Sequence, residues 1–178
     1  MSPLQSVIYK KNKLIKPIWL MRQAGRYLPE FREIRKKNQD FIKLCLNSNL
    51  SSEITLQPIK RFNFDGAVIF SDILMVPYGM GQSVEFKKNF GPNLGDININ
   101  EFLNLNESDF VEKLSPIYKL LHILRKSEEL KNRDLIGFVG APWTLLVYII
   151  NKVSPKNGLS DSFSRNINLI NNMLNLLD

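Results

Sequence analysis

An α/β fold with parallel strands is predicted by three observations. Three short apolar runs, residues 17–21, 67–70 and 135–139, have the look of buried strands. None alternates apolar with polar, as expected for strands covered on both faces. Each is followed by a polar or glycine-containing turn and then a helical pattern, and a strand–helix succession argues for a parallel sheet. No internal repeat, low-complexity segment or composition shift marks a second domain.

Residues 1–16 precede the first run and read as an extension. After that run, helices are expected over 28–37 and 51–62. Glu53 suits the first turn of the second, and Pro58 inside it predicts a kink or a late start. The second run leads into residues 77–95, a glycine-rich stretch with Ser83-Val84-Glu85-Phe86 as a short alternating strand. It reads as a long loop carrying a hairpin, the kind of loop that is often functional. Ser115-Pro116 opens a helix with a capping hydroxyl and a proline at the first position, and Ile117, Leu120, Leu121 and Leu124 share one face. After the third run Pro142 opens another helix, which residues 154–158 end. A last amphipathic helix is expected from Ser160, with Phe163, Ile167, Ile170, Leu174 and Leu177 on one stripe.

The 178 residues are 44% hydrophobic and 23% charged, which is ordinary globular composition, and suffice for a substantial core. The formal charge of +7 favours an anionic partner without choosing its class. An arginine-rich arm, an RNP-like aromatic motif and zinc-finger spacing are all missing from the sequence, so nucleic acid is not expected. Cys45 is the single cysteine. A disulfide framework is thereby excluded, and its apolar setting makes it a small core hydrophobe. No apolar stretch approaches the length of a membrane span and no signal-peptide pattern opens the chain; a cytoplasmic protein is expected.

The chemistry concentrates in Arg22-Gln23-Ala24-Gly25-Arg26, directly after the first apolar run. Two guanidiniums four residues apart, joined by small residues that let the backbone turn, offer planar donor forks suited to carboxylate or phosphate. A multiply anionic ligand is one reading; two surface arginines paired with Glu30 and Glu33 is the other. Asp72 ends the second run among Ile69, Phe70, Ile73 and Leu74. It either places a carboxylate in a partly apolar cavity or caps the next turn. Gly137-Phe138-Val139-Gly140-Ala141-Pro142-Trp143-Thr144 ends the third run. Its glycines permit either a flat ligand or close packing, and Thr144 offers a hydroxyl. Tyr148 lies further along the following helix, aimed at the strand ends or packed on Trp143. His122 reads as structural or surface. With one histidine and one cysteine there is no metal cluster, and Gly79-Met80-Gly81 does not fit a phosphate-binding glycine motif.

The segments Arg22-Gln23-Ala24-Gly25-Arg26-Tyr27-Leu28-Pro29-Glu30, Ile69-Phe70-Ser71-Asp72-Ile73-Leu74 and Gly140-Ala141-Pro142-Trp143-Thr144 closely resemble the uroporphyrinogen decarboxylase family. Thr55-Leu56-Gln57-Pro58 with Arg61-Phe62 does so too, and the order is the family's from about residue 16 to 153. The resemblance implies a TIM-type (β/α)8 barrel and a homodimer. It implies stepwise decarboxylation of the four acetate side chains of uroporphyrinogen III to coproporphyrinogen III, in haem and porphyrin biosynthesis, without cofactor or metal. By matching position, Arg22 and Arg26 would hold substrate carboxylates, with the backbone of Gln23, Ala24 and Gly25 lining the cleft and Arg35 nearby. Asp72 would meet the pyrrole N–H groups and stabilise the transition state. Tyr148 would hydrogen-bond near the reacting acetate, and Arg22 would stand close to the chemistry.

A barrel of this kind needs eight strands and roughly 250 residues, whereas about three βα units are legible here. The chain is therefore expected to be the N-terminal part of a single decarboxylase domain: an extension at 1–16, the motif-bearing region at 17–153, and an amphipathic helix at 160–178 whose stripe would pack on later elements. It is expected to be inactive alone. The alternatives are a corrinoid methyltransferase of the same superfamily, against which the full arginine motif stands, and a non-catalytic remnant.

Overall fold

A computed structural model describes residues 1–10, 12, 14–87, 90–159 and 167–178. It is α/β, as the strand–helix succession predicts, and its contacts gather into two compact units. The first comprises Met1–Gln39, Lys43–Ser71 and Pro116–Phe138; the second comprises Asp40–Ile42, Asp72–Ser115 and Val139–Asp178.

At the centre of the first unit are two parallel strands, β1 (Gly66–Val68) and β4 (Asp134–Ile136), paired from Gly66 with Asp134 to Val68 with Ile136. Each begins one residue before the apolar run that predicts it and ends sooner. The Ile69 N–H adds one further ladder bond to the Ile136 carbonyl at 3.0 Å. Residues 17–21 form no strand. Pro17 has no N–H to give a ladder. The neighbouring backbone is held by Asp65 instead: Ile18 N–H donates to Asp65 Oδ2 at 2.7 Å, and the Ile18 carbonyl accepts from Asp65 N–H at 2.8 Å.

Helices cover the strands. α1 (Pro3–Lys10) lies in the stretch read as an extension, and Leu4 reaches β1 so closely that a Cβ on Gly66 would sit 2.7 Å from its Cδ1. α2 (Pro29–Lys37) and α8 (Ser115–Arg125) fall where proline and the apolar stripe place them. α3 (Phe41–Cys45) ends on Cys45, which is fully buried. α4 (Ser48–Phe62) starts three residues before the expected 51, because the Asn47 side chain caps it by accepting from Leu50 N–H at 3.0 Å. Pro58 is carried inside the helix, so the late start does not occur. Leu56 and Ile59 of α4, Ala67 and Ile69 around β1, and Leu120, Leu124 and Leu130 form one core cluster.

The second unit holds α5 (Met75–Gly79), the antiparallel hairpin of β2 (Val84–Lys87) and β3 (Gly91–Leu94), α6 (Ile99–Leu103), α7 (Glu107–Lys113), α9 (Pro142–Asn151) and α10 (Ile167–Leu177). The hairpin sits where the alternating residues 83–86 predict it. Its second strand is tied to the end of α9, with Leu94 N–H donating to the Lys152 carbonyl at 2.7 Å. Gln82 reinforces this, donating through Nε2 to the Gly95 and Ile149 carbonyls at 2.9 and 3.1 Å. The expected start of the last helix, Ser160 with Phe163, lies outside the described residues. Within α10, Ile170 and Met173 are buried with Phe102, Leu145, Leu146 and Ile149, and Leu174 and Leu177 pack on that cluster.

Candidate active site

The residues singled out by the sequence divide between the units. Arg22, Gln23, Ala24, Gly25, Arg26 and Arg35 belong to the first, and Asp72 and Tyr148 to the second.

In the first unit, residues 22–26 form an irregular bend between the coil held by Asp65 and α2. Arg22 and Arg26 are exposed. Between them Gln23 is 3% exposed. Its side chain turns inward onto β1: Nε2 donates to the Gly66 carbonyl at 2.7 Å, and Oε1 accepts from Val68 N–H at 3.0 Å. The Tyr27 hydroxyl donates to the Gln23 carbonyl. Leu28 N–H closes the bend on the Gly25 carbonyl at 3.0 Å. Arg32 Nη1 donates to the carbonyls of Arg26 and Tyr27 at 2.8 and 3.2 Å. The bend is thus irregular but anchored at both ends, which places two guanidiniums without a regular element beneath them. Among the described residues, Glu30 bridges Arg61 at 2.9 and 2.8 Å and Glu33 bridges Lys36 at 2.6 Å. Arg35 sits in the last turn of α2, where its Nη1 donates to the Asn38 carbonyl at 2.7 Å and satisfies an otherwise open helix end.

Thr55, quoted above only as part of a motif, is a supporting residue to which the sequence reading assigned no role. Fully buried on α4, its Oγ1 donates to the Ser51 carbonyl at 2.7 Å and accepts from Phe70 N–H at 2.9 Å. It therefore fixes the backbone just beyond β1, two residues before Asp72. A hydroxyl four residues after Ser51 in a helix was the available signal; its second partner is long-range and left no local trace.

In the second unit, Asp72 caps the turn that follows it. Oδ1 accepts from Leu74 N–H at 2.8 Å and shapes the turn into α5. Burial raises the carboxyl above its ordinary range, a push that the Leu74 hydrogen bond partly opposes. A carboxylate withdrawn from water interacts more strongly with any positive charge brought to it. Gly140 serves close packing, since a Cβ there would lie 2.7 Å from Leu145 Cδ2 and 3.3 Å from Ile73 Cβ. Tyr148 is half-buried on α9, and Thr144 is exposed in the first turn of that helix. In the first unit, His122 is exposed on α8. Among the described residues no group of His, Cys, Asp and Glu is arranged to hold a metal ion, and no helix is long and apolar enough to cross a membrane.

The uroporphyrinogen decarboxylase (URO-D) family matches residues 1–166. The chain belongs to the uroporphyrinogen decarboxylase family. A uroporphyrinogen decarboxylase from Chelativorans sp. is 50% identical over 134 residues, and one from Brucella anthropi is 47% identical over 135. Each comparison covers 75% of this chain and 39% of the relative. The resemblance drawn from the three motifs therefore holds, and the chain spans about two-fifths of the length of these decarboxylases.

Proposed function

We propose that this chain supplies the arginine pair and the central carboxylate of a uroporphyrinogen decarboxylase, which removes carbon dioxide stepwise from the four acetate side chains of uroporphyrinogen III to give coproporphyrinogen III. The observation that carries the reading is the anchored bend presenting Arg22 and Arg26 to solvent, within a chain that matches this family. Family membership supports a (β/α)8 barrel, a homodimer in the cytoplasm and chemistry without a cofactor.

The side chains suit the reaction. Uroporphyrinogen carries eight carboxylates, and guanidinium forks recognise carboxylates in two-point geometry. Arg22 and Arg26 hold them, with the backbone of Gln23, Ala24 and Gly25 beside the ring and Arg35 adding positive charge. Loss of carbon dioxide leaves an electron pair that needs a sink. Protonation of a pyrrole carbon provides one and makes the ring cationic. Asp72, an acceptor with a partly desolvated carboxylate, receives the pyrrole N–H groups and stabilises that charge as it develops. Tyr148 hydrogen-bonds near the reacting acetate.

The test is a titration of the chain with uroporphyrin and with coproporphyrin, the stable oxidised analogues carrying eight and four carboxylates. Tighter binding of the octacarboxylate, lost in Arg22→Ala/Arg26→Ala, is the expected result. Equal affinity for the two rings, or affinity untouched by the double substitution, would contradict the reading.

A further inference from the structure

We propose that Gln23 is a positioning residue, whose buried amide substitutes for one residue of a missing strand beside β1 and thereby sets where Arg22 and Arg26 stand. The proposal rests on reading those arginines as ligand-binding groups. It goes beyond that reading in giving the side chain between them a task of its own.

The two edges of β1 are served differently. Asp65 and Ile69 face β4: Asp134 N–H donates to the Asp65 carbonyl and Ile69 N–H to the Ile136 carbonyl. Because the strand period is two, the intervening Gly66 and Val68 direct their carbonyl and N–H to the opposite edge. In a parallel ladder a single residue of the neighbouring strand serves two such groups, donating to one carbonyl and accepting from the N–H two residues on. Gln23 makes this pair of bonds, at 2.7 Å to Gly66 and 3.0 Å from Val68, with its side chain in place of a backbone. The residues that would have formed a backbone ladder there, 17–21, are not a strand.

An amide is the side chain that can do this without charge, because it carries a donor and an acceptor side by side. The consequence reaches the arginines directly. Arg22 precedes the anchored residue, and Arg26 follows it in a bend whose other end is held through the Gly25 and Arg26 carbonyls. The Tyr27 hydroxyl on the Gln23 carbonyl ties the same residue a third time. Two flexible, exposed side chains are thus mounted on a backbone whose register against β1 is decided at Gln23.

Gln23→Leu keeps the bulk and removes both bonds. Gln23→Glu keeps the acceptor, and its carboxyl can donate to Gly66 only when protonated. Facing a carbonyl in a buried site, that carboxyl titrates above the ordinary glutamate range. Amide exchange is measured at Val68, at Ile69 and across residues 22–26, together with uroporphyrin affinity. In Gln23→Leu, Val68 and the 22–26 amides are expected to exchange at least tenfold faster relative to Ile69, with affinity down at least tenfold although both arginines remain. In Gln23→Glu, protection and affinity should match the unaltered chain at low pH and fall together as pH rises through one transition. The unaltered chain carries the same Asp65, Tyr27 and Arg22 around this position and is the reference at every pH. Unchanged Val68 exchange in Gln23→Leu, or faster exchange with undiminished affinity, would overturn the proposal. If the unaltered chain binds no uroporphyrin, the functional reading falls. The 22–26 amides then decide the positioning role: acceleration together with Val68 upholds it and no change refutes it.

Discussion

Burial of the Asp72 carboxyl costs the fold stability at neutral pH. The pKa of that carboxyl is raised, so the folded chain holds the proton more tightly than the unfolded chain does. The sign follows from linkage. Below the unfolded carboxyl range both states are protonated and no penalty applies. As pH rises through that range the unfolded state ionises first, and stability is lost. Asp72→Asn keeps an oxygen for Leu74 N–H and removes the charge. It should therefore raise the melting temperature at neutral pH, with the gain vanishing as pH falls below the usual carboxylate range. Thermal unfolding at a series of pH values checks this, and a variant less stable at pH 7 would contradict it. Thr55 makes the opposite case. Thr55→Val keeps the shape but leaves Phe70 N–H buried without its acceptor, which should cost about 1–3 kcal/mol in denaturant unfolding.

At the scale of the element, β1, β4, α8 and α9 were legible because local signals agreed with their packing. Each strand run is uniformly apolar, and proline stands at the head of each helix. What was not legible depended on partners distant in the chain. Residues 17–21 look like a strand, yet they are held by the carboxylate and backbone of Asp65 and by one glutamine amide further on. The periodicity of an apolar run carries no record of whether its ladder is made by backbone or by side chains. The start of α4 was missed because Asn47 is an ordinary polar residue until its side chain is seen on Leu50 N–H. Asn47→Ala should accordingly lower stability by about 1 kcal/mol, read as a shift in the denaturant midpoint without a change in slope. Within the candidate site, the arginine pair and its spacing were legible as a motif. The bonds that fix them were not, since Gln23, Tyr27 and Arg32 act on carbonyls and amides that any sequence would supply.

For the molecule as a whole, a formal charge of +7 and a pair of guanidiniums on an anchored bend suit a ring fringed with carboxylates. The chain matches the uroporphyrinogen decarboxylase family over residues 1–166. Counterion screening sets the next expectation: contacts between exposed charges weaken as the screening length falls from about 10 Å at 0.1 M salt to about 3 Å at 1 M. Carboxylate binding is the role proposed for Arg22 and Arg26. Its most direct test is the uroporphyrin dissociation constant of the unaltered chain, Arg22→Ala, Arg26→Ala and the double variant, each at low and high salt. Charge-assisted hydrogen bonds are worth about 1.5–3 kcal/mol each, so each single substitution should weaken binding by roughly tenfold to a hundredfold and flatten the salt dependence, with the double variant weakest and least salt-sensitive. Four dissociation constants that agree, or a salt dependence unchanged by removing both guanidiniums, would contradict it.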